Sequence, residues 1–274
     1  MDWSLVLLSQ GIENTVDFAH HDGWGLWVAP DQYQNALKSI ELYQLENRGW
    51  PWQKRLPGPE VLFDWASLAW VFLIALFFWL ETTDNLKPLG VLSAKALPQH
   101  EWWRFFTAVW LHADLGHMAS NAVFGFLLLG LAMGRYGTGA ALLAAYSAGV
   151  IGNLCTAFVI HDNAYGLGAS GMVMGALGLL AAQSISHWGN HPQNLKLVTG
   201  GIAGGIMLFA LLGLTPGTNV LAHFAGFISG VLLGVVLSRI PSCAKQGTLN
   251  LTLGLIFTAL VILPWWLAIK AGTK

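Results

Sequence analysis

The chain has 274 residues, of which 55% are hydrophobic and only 10% charged, and its 13 basic and 14 acidic side chains leave a formal net charge of −1. A water-soluble domain carries roughly 25% charged residues, so most of this surface must face lipid, and a near-neutral chain without a basic tract argues against a nucleic-acid partner. The 32 glycines and 14 tryptophans suit membrane helices, because glycine lets helices approach closely and tryptophan settles at the lipid–water boundary.

Residues 1–60 are the more polar part. They lack the basic start and small-residue cleavage site of a signal peptide, and the apolar run 5–8 is too brief to span a bilayer. Membrane insertion is therefore expected to begin at the first long apolar segment. Leu5 to Ser9 and Gly25 to Val28 read as short strands. Asp31 reads as the cap of a helix from Gln32 to about Asn47, with Ala36, Leu37, Ile40, Tyr43 and Leu45 as its apolar stripe. The expectation is a small cytosolic β/α domain over residues 1–60 that ends in a Trp/Pro-rich linker at 49–59, near the lower size limit for independent folding.

The rest, 61–274, reads as an all-α polytopic membrane protein. About 20 apolar residues span a bilayer as a helix, and seven runs qualify: 61–80, 117–133, 139–160, 170–185, 197–214, 220–240 and 249–269. The fourth is short and glycine-rich, which places it inside the bundle. Arg48, Lys54, Arg55, Arg135, Lys196, Arg239 and Lys245 all fall on one side, the cytoplasmic side by the positive-inside rule. The other side carries Lys87, Lys95, Arg104, Lys270 and Lys274, so the asymmetry is moderate. The resulting topology has the N-terminus in and the C-terminus out. The loop 81–116 is long yet holds Leu89, Val91, Leu92, Trp102, Trp103, Phe105 and Phe106, the composition of an amphipathic hairpin lying in the interface. Cys155 and Cys243 form neither a disulfide framework nor a zinc spacing and read as ordinary thiols.

Polar side chains are costly inside a bilayer and are functional candidates by default. His117 and Asn121 share a face at the start of the second segment, Gly168-Ala169-Ser170-Gly171 opens the fourth, and His223 lies about one turn into the sixth. These three segments run in the same direction, so His117, Ser170 and His223 reach a common depth near the outer surface. Gly171 and Gly175 on the fourth segment, with Gly226, Gly230 and Gly234 on the sixth, are spaced for close helix contact. If those faces meet, Ser170 and His223 come within reach. A serine needs a base to become a nucleophile, and histidine is suited to that task. Peptide cleavage also needs donors for the developing oxyanion, for which His117, the Asn121 amide and the Ser170 backbone N–H at a helix start are suitable. Alone, Ser170 would read as a packing serine and His223 as a satisfied core histidine; the ordered set points to catalysis. Asp162, beside His161 in the outer loop, is better read as a solvated charge than as a third triad member. Asn153 and Tyr146 read as interhelical hydrogen bonds, and Glu101 and Arg104 as anchors of the loop.

Taken in order, Glu101-Trp102-Trp103-Arg104, His117-Met118-Ala119-Ser120-Asn121, Gly168-Ala169-Ser170-Gly171 and Ala222-His223-Phe224-Ala225-Gly226 resemble the rhomboid intramembrane proteases over about residues 61–240. The resemblance, closest to the bacterial type, implies a six-helix core, here followed by a seventh C-terminal helix at 249–269. It implies a serine endopeptidase with a Ser170–His223 dyad, oxyanion donors at His117, Asn121 and the Ser170 N–H, and a water-filled cavity. His112 matches a recurring family position, where it either lines that cavity or steadies the loop. Substrates would be transmembrane helices, no metal or cofactor is implied, and a bacterial inner membrane is the expected location. Two positions depart from the family pattern: Met174 stands where an aromatic often packs on the catalytic histidine, and Met133 where a glutamate is common. The competing reading is a catalytically silent rhomboid-like protein that binds or escorts membrane helices. A transporter would require inverted repeats, and none is visible.

Overall fold

The computed structural model describes residues 2–19, 23–47, 62–94, 96, 98–160, 165–186, 192–213, 219–240 and 247–272. The linker 49–59, His161, Asp162, Cys243, residues 215–218, and Arg48, Lys54, Arg55, Lys95, Lys245 and Lys274 lie outside them. The chain divides into two compact units, 1–60 and 61–274.

The first unit contains helix α1 (Asp2–Ser9), an antiparallel hairpin of β1 (Asn14–Ala19) and β2 (Gly23–Val28), and helix α2 (Tyr33–Glu46). The strand expected at Leu5–Ser9 is thus a helix, and the strand that pairs with β2 is Asn14–Ala19. A short apolar run fits either state; here one helical turn seats Leu7 against Ile12 and Ala36 in the small core. Asp31 is not a cap, because the chain enters α2 through a 3-10 turn, Pro30–Gln32, without a side-chain cap bond. Of the expected stripe on α2, Ala36 is buried and Ile40 packs on the core, while Leu37 and Leu45 are exposed.

In the second unit, helices overlap all seven apolar runs: α3 (Ser67–Asp84), then α4 (Lys87–Gly90), β3 (Leu92–Ser93) and α5 (Arg104–Thr107) within the long loop, α6 (Leu115–Tyr136), α7 (Thr138–Ile160), β4 (Tyr165–Gly166), α8 (Ser170–Ser186), α9 (Pro192–Gly213), α10 (Val220–Ser238) and α11 (Gly247–Gly272). Five of these, α3, α6, α7, α10 and α11, are long and apolar enough to cross a membrane. The chain is a multi-pass membrane protein of mostly helical fold.

Helix α8 is the packed centre, with Met172, Val173, Met174, Ala176, Leu177 and Leu179 all buried. Its neighbours are α6, α7, α9 and α10. The approach of α10 is permitted by glycine. A Cβ on Gly226 would come 2.5 Å from the Gly171 carbonyl oxygen, and one on Gly230 would collide with that of Gly175. On the other flank a Cβ at Gly152 of α7 would lie 2.5 Å from the Ala222 carbonyl oxygen of α10. The start of α7 is closed by α11, where the Asn250 side chain accepts from Gly139 N–H at 2.8 Å and satisfies a donor that a helix start leaves unpaired.

The long loop is not simply an interfacial hairpin. Trp102 is exposed, but Leu92, Ala108, Trp110 and Leu111 are completely buried. Trp110 inserts between Phe77 of α3 and Tyr146 of α7, and its Nε1–H donates to the Tyr146 hydroxyl. That hydroxyl also reaches the Phe106 and Leu260 carbonyls, and the Asn153 amide donates to the Phe105 carbonyl at 2.8 Å. These two side chains thus bind the loop, and Tyr146 also α11. Arg104 pairs with Glu101 and donates to the Pro88 and Val91 carbonyls, an anchor for the loop.

Replacing Gly230 with valine should drive α10 from α8 and destabilise the protein by about 1–3 kcal/mol, the range for overpacked cores. Gly204→Ala, which meets nothing within 4 Å among the described residues, should not destabilise it. Thermal unfolding of both variants in the same detergent checks the pair.

Candidate functional site

Three local devices set the site. Asp114 is extended (φ −156°, ψ 175°) and its carboxylate accepts the His117 N–H at 2.9 Å, which starts α6 and fixes His117 in its first turn. Asn121 follows one turn later on the same face. Gly168 has φ +120°, a conformation that favours glycine, and its N–H donates to the Ala108 carbonyl at 2.9 Å. A Cβ there would press to 2.7 Å from Cε1 of His117 and lie 3.7 Å from the Asn121 amide nitrogen. The turn at Gly168 therefore lays the start of α8 beside both side chains. Asn219 caps α10: its Oδ1 accepts the Ala222 N–H at 3.0 Å, and its Nδ2 donates to Thr156 at 3.0 Å and to the Tyr165 carbonyl at 3.3 Å.

With both helix starts fixed and the glycine faces in contact, Ser170 Oγ and His223 Nε2 stand 2.7 Å apart. Ser170 is half-buried and His223 is 2% exposed. Both line a cavity of about 790 Å³, together with His117, Asp114, Asn153 and Asn219 among its polar side chains. Asn121 is not a lining residue; it sits just behind the wall, buried, and its Nδ2 has no hydrogen-bond partner among the described residues. Ser170 opens α8, so its N–H belongs to the unpaired donors of a helix start.

His112 does not line the cavity. It is fully buried, and its ring meets that of His117 edge to face at 5.3 Å. Burial above all, and then the neighbouring His117, lower its pKa from 6.5 to about 3, so the imidazole is neutral near pH 7. Met174 and Met133 are both buried in the apolar core.

Sequence reasoning gave Asn219 no role, although an asparagine directly before an apolar run is a helix-start signal. It also grouped Gly168 with the serine motif without its steric role, which is visible only with His117 in place. Among the described residues no cluster of His, Cys, Asp or Glu is placed to hold a metal ion.

A family model described as the rhomboid domain matches residues 99–240. RHOMBOID-like protein 1 of Arabidopsis thaliana is 28% identical over 166 residues, covering 56% of this chain and 39% of the plant protein. Rhomboid protease GluP of Bacillus subtilis is 29% identical over 187 residues, covering 64% of this chain and 34% of its own length. Rhomboid-type serine protease 2 of Emericella nidulans is 30% identical over 183 residues, covering 61% and 33%. The chain thus spans between 33% and 39% of these three relatives.

A histidine kept neutral in the fold but free to protonate when unfolded stabilises the protein above its unfolded pKa. For His112 that contribution is lost as pH falls from 6.5 toward about 3. Melting temperatures in detergent should decline across this window, and His112→Phe should flatten the decline.

Proposed function

This chain belongs to the rhomboid family, and we propose that it is an intramembrane serine endopeptidase that cleaves transmembrane-helix substrates through a Ser170–His223 dyad. The observation that carries the reading is the 2.7 Å contact between Ser170 Oγ and His223 Nε2 at the wall of a large cavity. Family membership and the names of the bacterial and fungal relatives, both called proteases, support it.

In this mechanism the unprotonated Nε2 of His223 takes the Ser170 proton as Oγ attacks the scissile carbonyl. The oxyanion forms beside the Ser170 N–H, the His117 ring and the Asn121 amide. The Asn121 amide, buried just behind the wall and without a hydrogen-bond partner among the described residues, has a donor to spare for it. His223 then gives its proton to the leaving amine, and water hydrolyses the acyl-enzyme with the same base. No acidic third member is used. A helical substrate holds its carbonyls in hydrogen bonds, so residues that loosen the helix should favour entry into the site.

The proposed topology puts the N-terminus in the cytoplasm, the C-terminus outside, and the site near the outer face of a bacterial inner membrane. Within it residues 1–60 form a small cytosolic domain with its linker, residues 61–240 a six-helix core, and α11 (Gly247–Gly272) a seventh transmembrane helix.

Purified wild type in mild detergent should react with a fluorophosphonate probe and cleave a model transmembrane substrate. Ser170→Ala and His223→Ala should abolish cleavage while remaining folded. Asn121→Ala should lower kcat about a hundredfold, the cost of losing one oxyanion donor. A folded wild type that neither labels nor cleaves would favour a catalytically silent protein that binds membrane helices.

A further inference from the structure

Glu81 lies in the last turn of α3, on a different helix from every residue of the proposed dyad and oxyanion site, yet its side chain is only 2% exposed. A buried carboxylate is costly unless both oxygens are engaged. One oxygen accepts the backbone N–H of His112 at 3.0 Å. The other faces Lys87 Nζ at 2.7 Å, and that ammonium also donates to the Ala113 carbonyl at 3.1 Å. The ion pair therefore grips the main chain at two consecutive residues, immediately before Asp114 begins α6.

The gripped segment holds both sides of the site. At its C-terminal end Asp114 accepts the His117 N–H, and at its N-terminal end the Ala108 carbonyl accepts the N–H of Gly168, two residues before Ser170. Between them the side chains of Trp110, Leu111 and His112 are fully buried and leave little room for slack. Displacing this segment would shift His117 and Ser170 relative to each other. The side chain of Glu81 is absent from the cavity wall, so it acts on the reaction only through the backbone it holds.

We propose that Glu81, with Lys87, is a positioning residue that sets the spacing between the oxyanion donor His117 and the start of α8; this rests on the serine-protease reading above. Reactions of this kind are sensitive to placement, an error near 1 Å costing up to about a hundredfold. The loss should fall on kcat rather than KM, because the oxyanion exists only after attack.

The experiment measures kcat and KM for a model transmembrane substrate, with enzyme concentration taken from complete fluorophosphonate labelling, so that loss of folded protein does not enter the rate. For Glu81→Leu, kcat per labelled site should drop about tenfold or more with KM within about twofold. Glu81→Gln, which keeps an acceptor for the His112 N–H, should restore most of that loss. Wild-type kcat per labelled site in Glu81→Leu would overturn the inference. If that variant fails to fold, Lys87→Met takes its place at a side chain 41% exposed, with a several-fold fall in kcat expected and a wild-type value overturning the inference. Absence of labelling and cleavage in the wild type would overturn the protease reading itself, a result distinct from either variant outcome.

Discussion

Contact between two backbones, made where side chains are missing, is the constraint from which the membrane unit follows. Inside lipid there is little hydrophobic gain in bringing two apolar helices together, so association depends on close van der Waals packing. Helices α8 and α10 achieve it by opposing glycines, with the Gly171 and Gly175 carbonyls lying where Cβ atoms of Gly226 and Gly230 would be. Gly152 lets α7 approach α10 in the same way. The 2.7 Å spacing of Ser170 and His223 is a consequence of this contact, since each stands three residues or fewer from an opposed glycine.

Close packing of helices still leaves the connecting chain to be placed, and here buried hydrogen bonds take over. The loop before α6 carries main-chain groups into the protein interior, where an unpaired group is expensive. Tyr146 and Asn153 of α7 bond loop carbonyls, and Trp110 fills the space between α3, α7 and α11. The same loop then contacts the turn at Gly168 and leads into α6. One buried segment thereby connects the two helix starts that carry the proposed nucleophile and an oxyanion donor. Polar groups that cannot be solvated are what make that connection rigid.

Much of this was legible in the sequence because its signals are local. Hydropathy located the apolar helices, and the order and spacing of His117, Asn121, Ser170 and His223 singled out one constellation. The glycine spacing indicated which helix faces meet. The N-terminal unit was less legible: Leu5 to Ser9 is as apolar as a strand, and only its contact with Ile12 and Ala36 makes it a helix. The loop misled for a related reason. Tryptophan and phenylalanine suit an interface and a core equally well, and composition does not distinguish an exposed side chain, such as Trp102, from one inserted among helices, such as Trp110.

By itself the sequence determined that the chain enters a membrane, which long apolar runs become helices, and which few polar side chains are candidates for a role. Those facts depend on each segment's own transfer energy and periodicity. Tertiary structure alone decided that His112 lies behind the cavity wall rather than on it, that Asn219 closes α10 while holding Thr156 and Tyr165, and that Glu81 clasps the chain before α6. Each of these depends on a hydrogen bond or contact between residues far apart in the chain, whose energy exists only once the helices have packed.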